Sequence, residues 1–87
     1  MSIAKPAICG SLQSNDCFVR IYPAETGIEL ELSSPVYKQF GKHMENVVRD
    51  TLKQMQVANC RIVIEDKGAL DYTIRSRVET VVKRAHE

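Results

Sequence analysis

Apolar residues recur along this chain with two periods, every second position in some segments and every third or fourth in others, and that switching predicts the elements. From Ala7 to Tyr22, two alternating runs flank the polar stretch Gln13-Ser14-Asn15-Asp16, which reads as a β-hairpin. Asn and Asp tolerate the positive φ that a tight turn demands. A two-residue loop at Asn15-Asp16 would pair Ser14 with Cys17, Leu12 with Val19, Gly10 with Ile21 and Ile8 with Pro23. One face would then carry Ile8, Leu12, Cys17, Val19 and Ile21, whereas a loop one residue longer would mix the faces. In either register Ser14 sits at the hairpin tip.

After a turn at Ala24 to Gly27, Ile28, Leu30 and Leu32 alternate with Glu29, Glu31 and Ser33, the pattern of a half-buried strand. Ser34-Pro35 predicts a helix start, Ser as N-cap and Pro at the first helical position. The helix is expected to run to about Gln56 on the stripe Val36, Phe40, Met44, Val47, Val48, Thr51, Leu52 and Met55. Asn59 to Glu65 alternates again, with Cys60, Ile62 and Ile64 opposite in phase to Arg61, Val63 and Glu65. Beyond an Asp66-Lys67-Gly68 turn, Leu70, Ile74, Val78, Val81 and Ala85 mark a second helix. The order is βββαβα. It predicts an α+β two-layer sandwich, a four-stranded, mainly antiparallel sheet with two helices on one face, in a single domain spanning residues 1–87.

Composition narrows the function classes. With 44% hydrophobic and 26% charged residues, the chain has enough apolar side chains to fold, but 87 residues leave little room for a deep, walled active site. Twelve basic and eleven acidic residues give a net charge of +1, without the concentrated basic face of a nucleic-acid binder. The cluster Arg75, Arg77, Lys83 and Arg84, interrupted by Glu79, reads as a solvated helix face. Neither a signal-peptide core in Met1 to Pro6 nor a run of ~20 apolar residues is present, so a cytoplasmic protein without membrane attachment is expected. Cys9, Cys17 and Cys60 are odd in number and lack CxxC spacing, which indicates neither a disulfide framework nor a zinc site. On strands, they should pack as small hydrophobes.

No catalytic constellation emerges. The glycines are isolated, so neither a phosphate-gripping loop nor a dinucleotide fingerprint is present. His43, off the apolar stripe, and His86, at the end of the second helix, are expected to be solvated and to bind no metal. Glu29 with Glu31, on the polar face of a strand, and Glu65 with Asp66, at a turn, fit solubility and the start of a helix better than acid–base work. Ser14 alone combines a hydroxyl with a protruding polar turn, and serine is common in turns for structural reasons.

Three stretches give Ser14 its interest. Pro6-Ala7-Ile8-Cys9-Gly10-Ser11-Leu12-Gln13-Ser14-Asn15-Asp16 with Val19-Arg20-Ile21 and Pro23, then Lys38-Gln39-Phe40-Gly41, then Asp66-Lys67-Gly68-Ala69-Leu70-Asp71 resemble, in this order, the acyl carrier (gamma) subunit of citrate lyase. The likeness spans nearly the whole chain. It departs from that family at Asn15, where many relatives are expected to have glycine. The resemblance implies a non-catalytic carrier whose Ser14 holds a phosphoribosyl-dephospho-CoA group through a phosphodiester, with Asn15 and Asp16 shaping the turn and open to recognition by the prosthetic-group transferase. It implies as partners an alpha subunit (acyl transferase) and a beta subunit (citryl lyase). On the carrier's thiol, acetyl would be exchanged for citrate with release of acetate, and cleavage would return oxaloacetate and the acetyl thioester. The acyl carrier of malonate decarboxylase is the nearest alternative, and a docking or metabolite-sensing α+β module is the alternative from another class.

Overall fold

The computed structural model describes residues 1–86. The alternating segments form β1 (Ala7–Gly10), β2 (Cys17–Tyr22), β3 (Ile28–Ser33) and β4 (Cys60–Asp66), and the two helical stripes form α1 (Tyr37–Gln54) and α2 (Asp71–His86). They build one sheet in the order β1-β2-β4-β3. β1 with β2 and β2 with β4 are antiparallel, while β3 and β4 run parallel. That parallel pair needs the long crossover that α1 supplies. The expected βββαβα, mainly antiparallel α+β architecture is therefore present.

The core lies between one face of the sheet and the two helices. Cys9, Cys17, Val19, Ile21, Cys60, Ile62 and Ile64 from the sheet meet Met44, Val48 and Leu52 of α1 and Ile74, Val78, Val81, Val82 and Ala85 of α2, all buried. The other face carries charge. Arg61 reaches Glu31 at 2.9 Å and lies 5.5 Å from the Tyr22 ring centroid, and Arg20 lies 3.5 Å from Glu65. Among the described residues, no helix is long and apolar enough to cross a membrane.

Local chemistry overturns several expectations. In the first hairpin, Ala7 pairs with Ile21, Ile8 with Arg20, Cys9 with Val19 and Gly10 with Phe18. The expected register is thus shifted by three residues, Cys9 turns inward, and Ile8 and Leu12 are exposed. The connection is a six-residue loop, residues 11–16, in which Asp16 is bonded to Arg77, 61 residues later. Helix α1 starts at Tyr37, not at Pro35. Ser34 Oγ donates to Asp66 Oδ2 at 2.8 Å and accepts from the Val36 N–H, so it shapes the turn before the helix and does not cap it. At the far end, Gln56 is left-handed (φ 58°), and the bonds Gln56 N–H to Lys53 O and Val57 N–H to Leu52 O close a Schellman motif two residues earlier than expected. Phe40 and Leu70, assigned to core stripes, are exposed.

Candidate functional site

The loop between β1 and β2 is built from the strand ends outward. Ser11 N–H donates to Cys17 O at 3.2 Å, and Asp16 N–H donates to Gln13 O at 3.2 Å, which closes a β-turn with Ser14 and Asn15 at its centre. Asn15 has φ 67°, the left-handed geometry a type II turn requires of its third residue and one that Asn accepts at low cost. The expected glycine at this position in relatives suits the same geometry. Asn15 N–H then donates to Lys67 O at 2.8 Å and Lys67 N–H to Asp16 O at 2.9 Å, extending the β2–β4 ladder into the loop. The tip is thereby braced against the segment after β4. Ser14 itself is exposed, and among the described residues no side-chain hydrogen bond occupies its hydroxyl.

Asp16 anchors the loop from within. Its carboxylate accepts Nε and Nη2 of Arg77 at 2.9 and 2.8 Å, the Ser11 hydroxyl at 2.7 Å and the Cys17 N–H at 2.7 Å. The hydrogen bond from Arg77 is the largest influence on its titration. Together with the bonds from Ser11 and Cys17 it outweighs desolvation and lowers the pKa from 3.8 to about 2. So weak a base cannot take the Ser14 proton efficiently near neutral pH. Arg77, expected on a solvated face, is this loop's structural partner on α2. Arg84 of the same cluster donates to Ile8 O at 2.8 Å.

The Asp66-Lys67-Gly68-Ala69-Leu70-Asp71 stretch forms the neighbouring wall. Asp66, expected at a surface turn, is only 2% exposed. Besides the Ser34 hydroxyl it accepts the N–H groups of Gly68 at 3.1 Å and Ala69 at 2.9 Å, and so shapes the turn that leads into α2. Gly68 has φ +92°, and a β-carbon placed there would lie 3.7 Å from Asn15 Oδ1. Two of the three stretches singled out in the sequence therefore meet at one edge of the molecule. The third, through Phe40, borders an open groove of about 660 Å³ that runs from Gly68 to Tyr72 between α1 and the start of α2. His43 Nε2 lies 2.6 Å from Asp71 Oδ2 on this groove, and both side chains are exposed. Sequence reasoning placed His43 in solvent and missed its partner, 28 positions away.

Comparisons with known proteins show the family. The acyl carrier family model described as malonate decarboxylase delta subunit (MdcD) matches residues 4–85. The chain is 51% identical over 87 residues to the citrate lyase acyl carrier protein of Treponema denticola, covering 100% of this chain and 99% of that one. It is 48% identical over 85 residues to that of Rhodopseudomonas palustris, covering 98% of this chain and 88% of the relative. The chain belongs to the acyl carrier protein family of citrate lyase and malonate decarboxylase. Its relatives are named as carriers and not as catalytic subunits, so this acyl carrier is a non-enzymatic component, and the docking-module alternative gives way. Among solved structures, a Pseudomonas malonate decarboxylase hetero-tetramer in complex with malonate contains a chain with the same fold. The TM-score is 0.70 at 23% identity, covering 95% of this acyl carrier and 86% of that chain.

Proposed function

We propose that this acyl carrier is the carrier subunit of citrate lyase, that the whole chain acts as one carrier domain in the cytoplasm, and that Ser14 Oγ is the attachment point of a phosphoribosyl-dephospho-CoA group. When bound, the group supplies a thiol on a long flexible arm, on which acetyl and citryl thioesters are carried between the larger subunits. Tethering raises the effective concentration of the carried acyl group. The observation that carries the reading is the Ser14 hydroxyl, exposed and, among the described residues, without a side-chain hydrogen bond, on a turn whose flanks are bonded to Lys67.

This chain's residues fit the role of a presented substrate. Ser14 needs no base of its own, because the weakly basic Asp16 is already committed to Arg77, Ser11 and Cys17; proton removal falls to the prosthetic-group transferase. Asn15 sets the left-handed bend and Asp16 locks the loop, which explains both without a recognition role. The buried cysteines take no part, since burial pushes the Cys17 thiol up to about 12 and that of Cys60 to about 11. The names of the relatives above support citrate lyase over malonate decarboxylase, while the description of the matching family model favours the second reading.

Intact-protein mass spectrometry after incubation with the transferase and its nucleotide donor tests the attachment site. Wild type should gain one group, and Ser14→Ala, which removes an exposed hydroxyl, should fold normally and gain none. Full modification of the alanine variant refutes the assignment. Adding the loaded carrier to citrate lyase alpha and beta subunits should restore oxaloacetate formation; restoration of malonate decarboxylation alone, with malonate decarboxylase subunits, would assign it to the second complex.

A further inference from the structure

The groove beside the anchor turn lies between α1 and the start of α2. Phe40 (55% exposed), Leu70 (59%) and Tyr72 (67%) project at its margins, with Val36 as part of its lining and the His43–Asp71 pair within it. Exposed apolar side chains gathered around one concavity are a feature of ligand-binding grooves and interaction sites. Its volume, about 660 Å³, falls in the range of roughly 300–1,000 Å³ usual for small-molecule sites. Two aromatic rings, the imidazole of His43 and a carboxylate suit a flat heteroaromatic body with polar edges better than a simple alkyl chain.

The groove is also continuous with the anchor. Asn15 is hydrogen-bonded to Lys67, and the next residue, Gly68, opens the groove beside Asn15 Oδ1. One Cα step on either side of that cross-strand bond places Ser14 within roughly 13 Å of Gly68. Counting outward from the serine, the group proposed above begins with a phosphodiester and two linked pentoses, and its first rigid aromatic body is adenine. A tether that short holds the base at high effective concentration near the groove.

We propose that this groove seats the adenine nucleoside of the Ser14-linked group, with the base against Phe40 and Tyr72 and its polar edge toward His43 and Asp71. The inference rests on the attachment reading above. Seating the nucleoside fixes the root of the arm and leaves the pantetheine portion and its thiol free to reach partner subunits.

The test uses the full chain, unmodified and loaded, with loading at Ser14 first established by peptide mass mapping. In isotope-edited NMR of the loaded protein, the adenine H2 and H8 protons should show cross-peaks to the Phe40 and Tyr72 rings. Amides of Gly68 to Asp71 should shift along with those of Gln13 to Asp16. The exposed-site variants Phe40→Ala and Tyr72→Ala should load fully by mass yet lose these cross-peaks. Full loading with shifts confined to Gln13 to Asp16 overturns the groove proposal while leaving the attachment site standing. So does a groove that responds only when the larger subunits are added, which would mark it as a protein-docking face. Absence of added mass on Ser14 overturns both.

Discussion

Replacing Asp16 with Asn removes the charge that holds the anchor loop while keeping the shape of the side chain. In the native protein Arg77 and the Ser11 and Cys17 donors keep this carboxyl ionised down to about pH 2, against 3.8 ordinarily. At full value that depression corresponds to roughly 2.5 kcal/mol. Asp16 is only 15% exposed, but Arg77 is 36% exposed, and solvent screening brings the expectation to about 1–2 kcal/mol. A depressed carboxyl stabilises the fold fully above its unfolded pKa, and the contribution fades as pH falls through the folded value. Urea unfolding followed by circular dichroism should therefore find Asp16→Asn less stable than wild type by about 1–2 kcal/mol at pH 7. The gap should be constant down to about pH 5 and shrink between 3.8 and about 2. Subtracting the two proteins cancels the other carboxyls, provided they titrate alike in both. A gap that is absent at pH 7, or that persists unchanged at the lowest pH where both proteins remain folded, would refute the assignment of this stability to the ionised Asp16–Arg77 clamp.

Gly10→Ala should destabilise the first hairpin by more than about 2 kcal/mol in the same urea assay, because the added β-carbon would clash with Cys17 O at a backbone φ of +95°. Equal stability would show that the hairpin can open there. In a thiol-titration assay, Cys9, Cys17 and Cys60, all buried, should resist a colourimetric disulfide reagent at pH 8 and react together once the protein is unfolded. Rapid labelling of the native protein would contradict the packing role given to them.

Strands and helices were legible because each has one buried face. Leu52, Ile62 and Val78 recur at the right spacings, and no distant partner is needed to place them. The first hairpin was not legible, since its register depends on Asp16 meeting Arg77, 61 residues later, and on a left-handed Gly10; the apolar pattern alone favoured burying Ile8 and Leu12. The start of α1 failed for a similar reason. Ser34, a good N-cap in isolation, is bonded to the buried Asp66 across the sheet. Ser14 was visible as a protruding hydroxyl, and its exposed turn is present as expected. The groove was hidden because Phe40 and Leu70 fit the helical stripes that usually face a core. Their exposure is the departure from that pattern on which the groove proposal rests.

Purification of the protein from its native source, followed by mapping of any added mass to a peptide, tests the account most directly. The prediction is a single phosphodiester-linked nucleotide carrying a pantetheine thiol, on the peptide that contains Ser14 and lost when that serine is replaced. An unmodified native protein assembled in an active complex, or the same group found on a different residue, would contradict it.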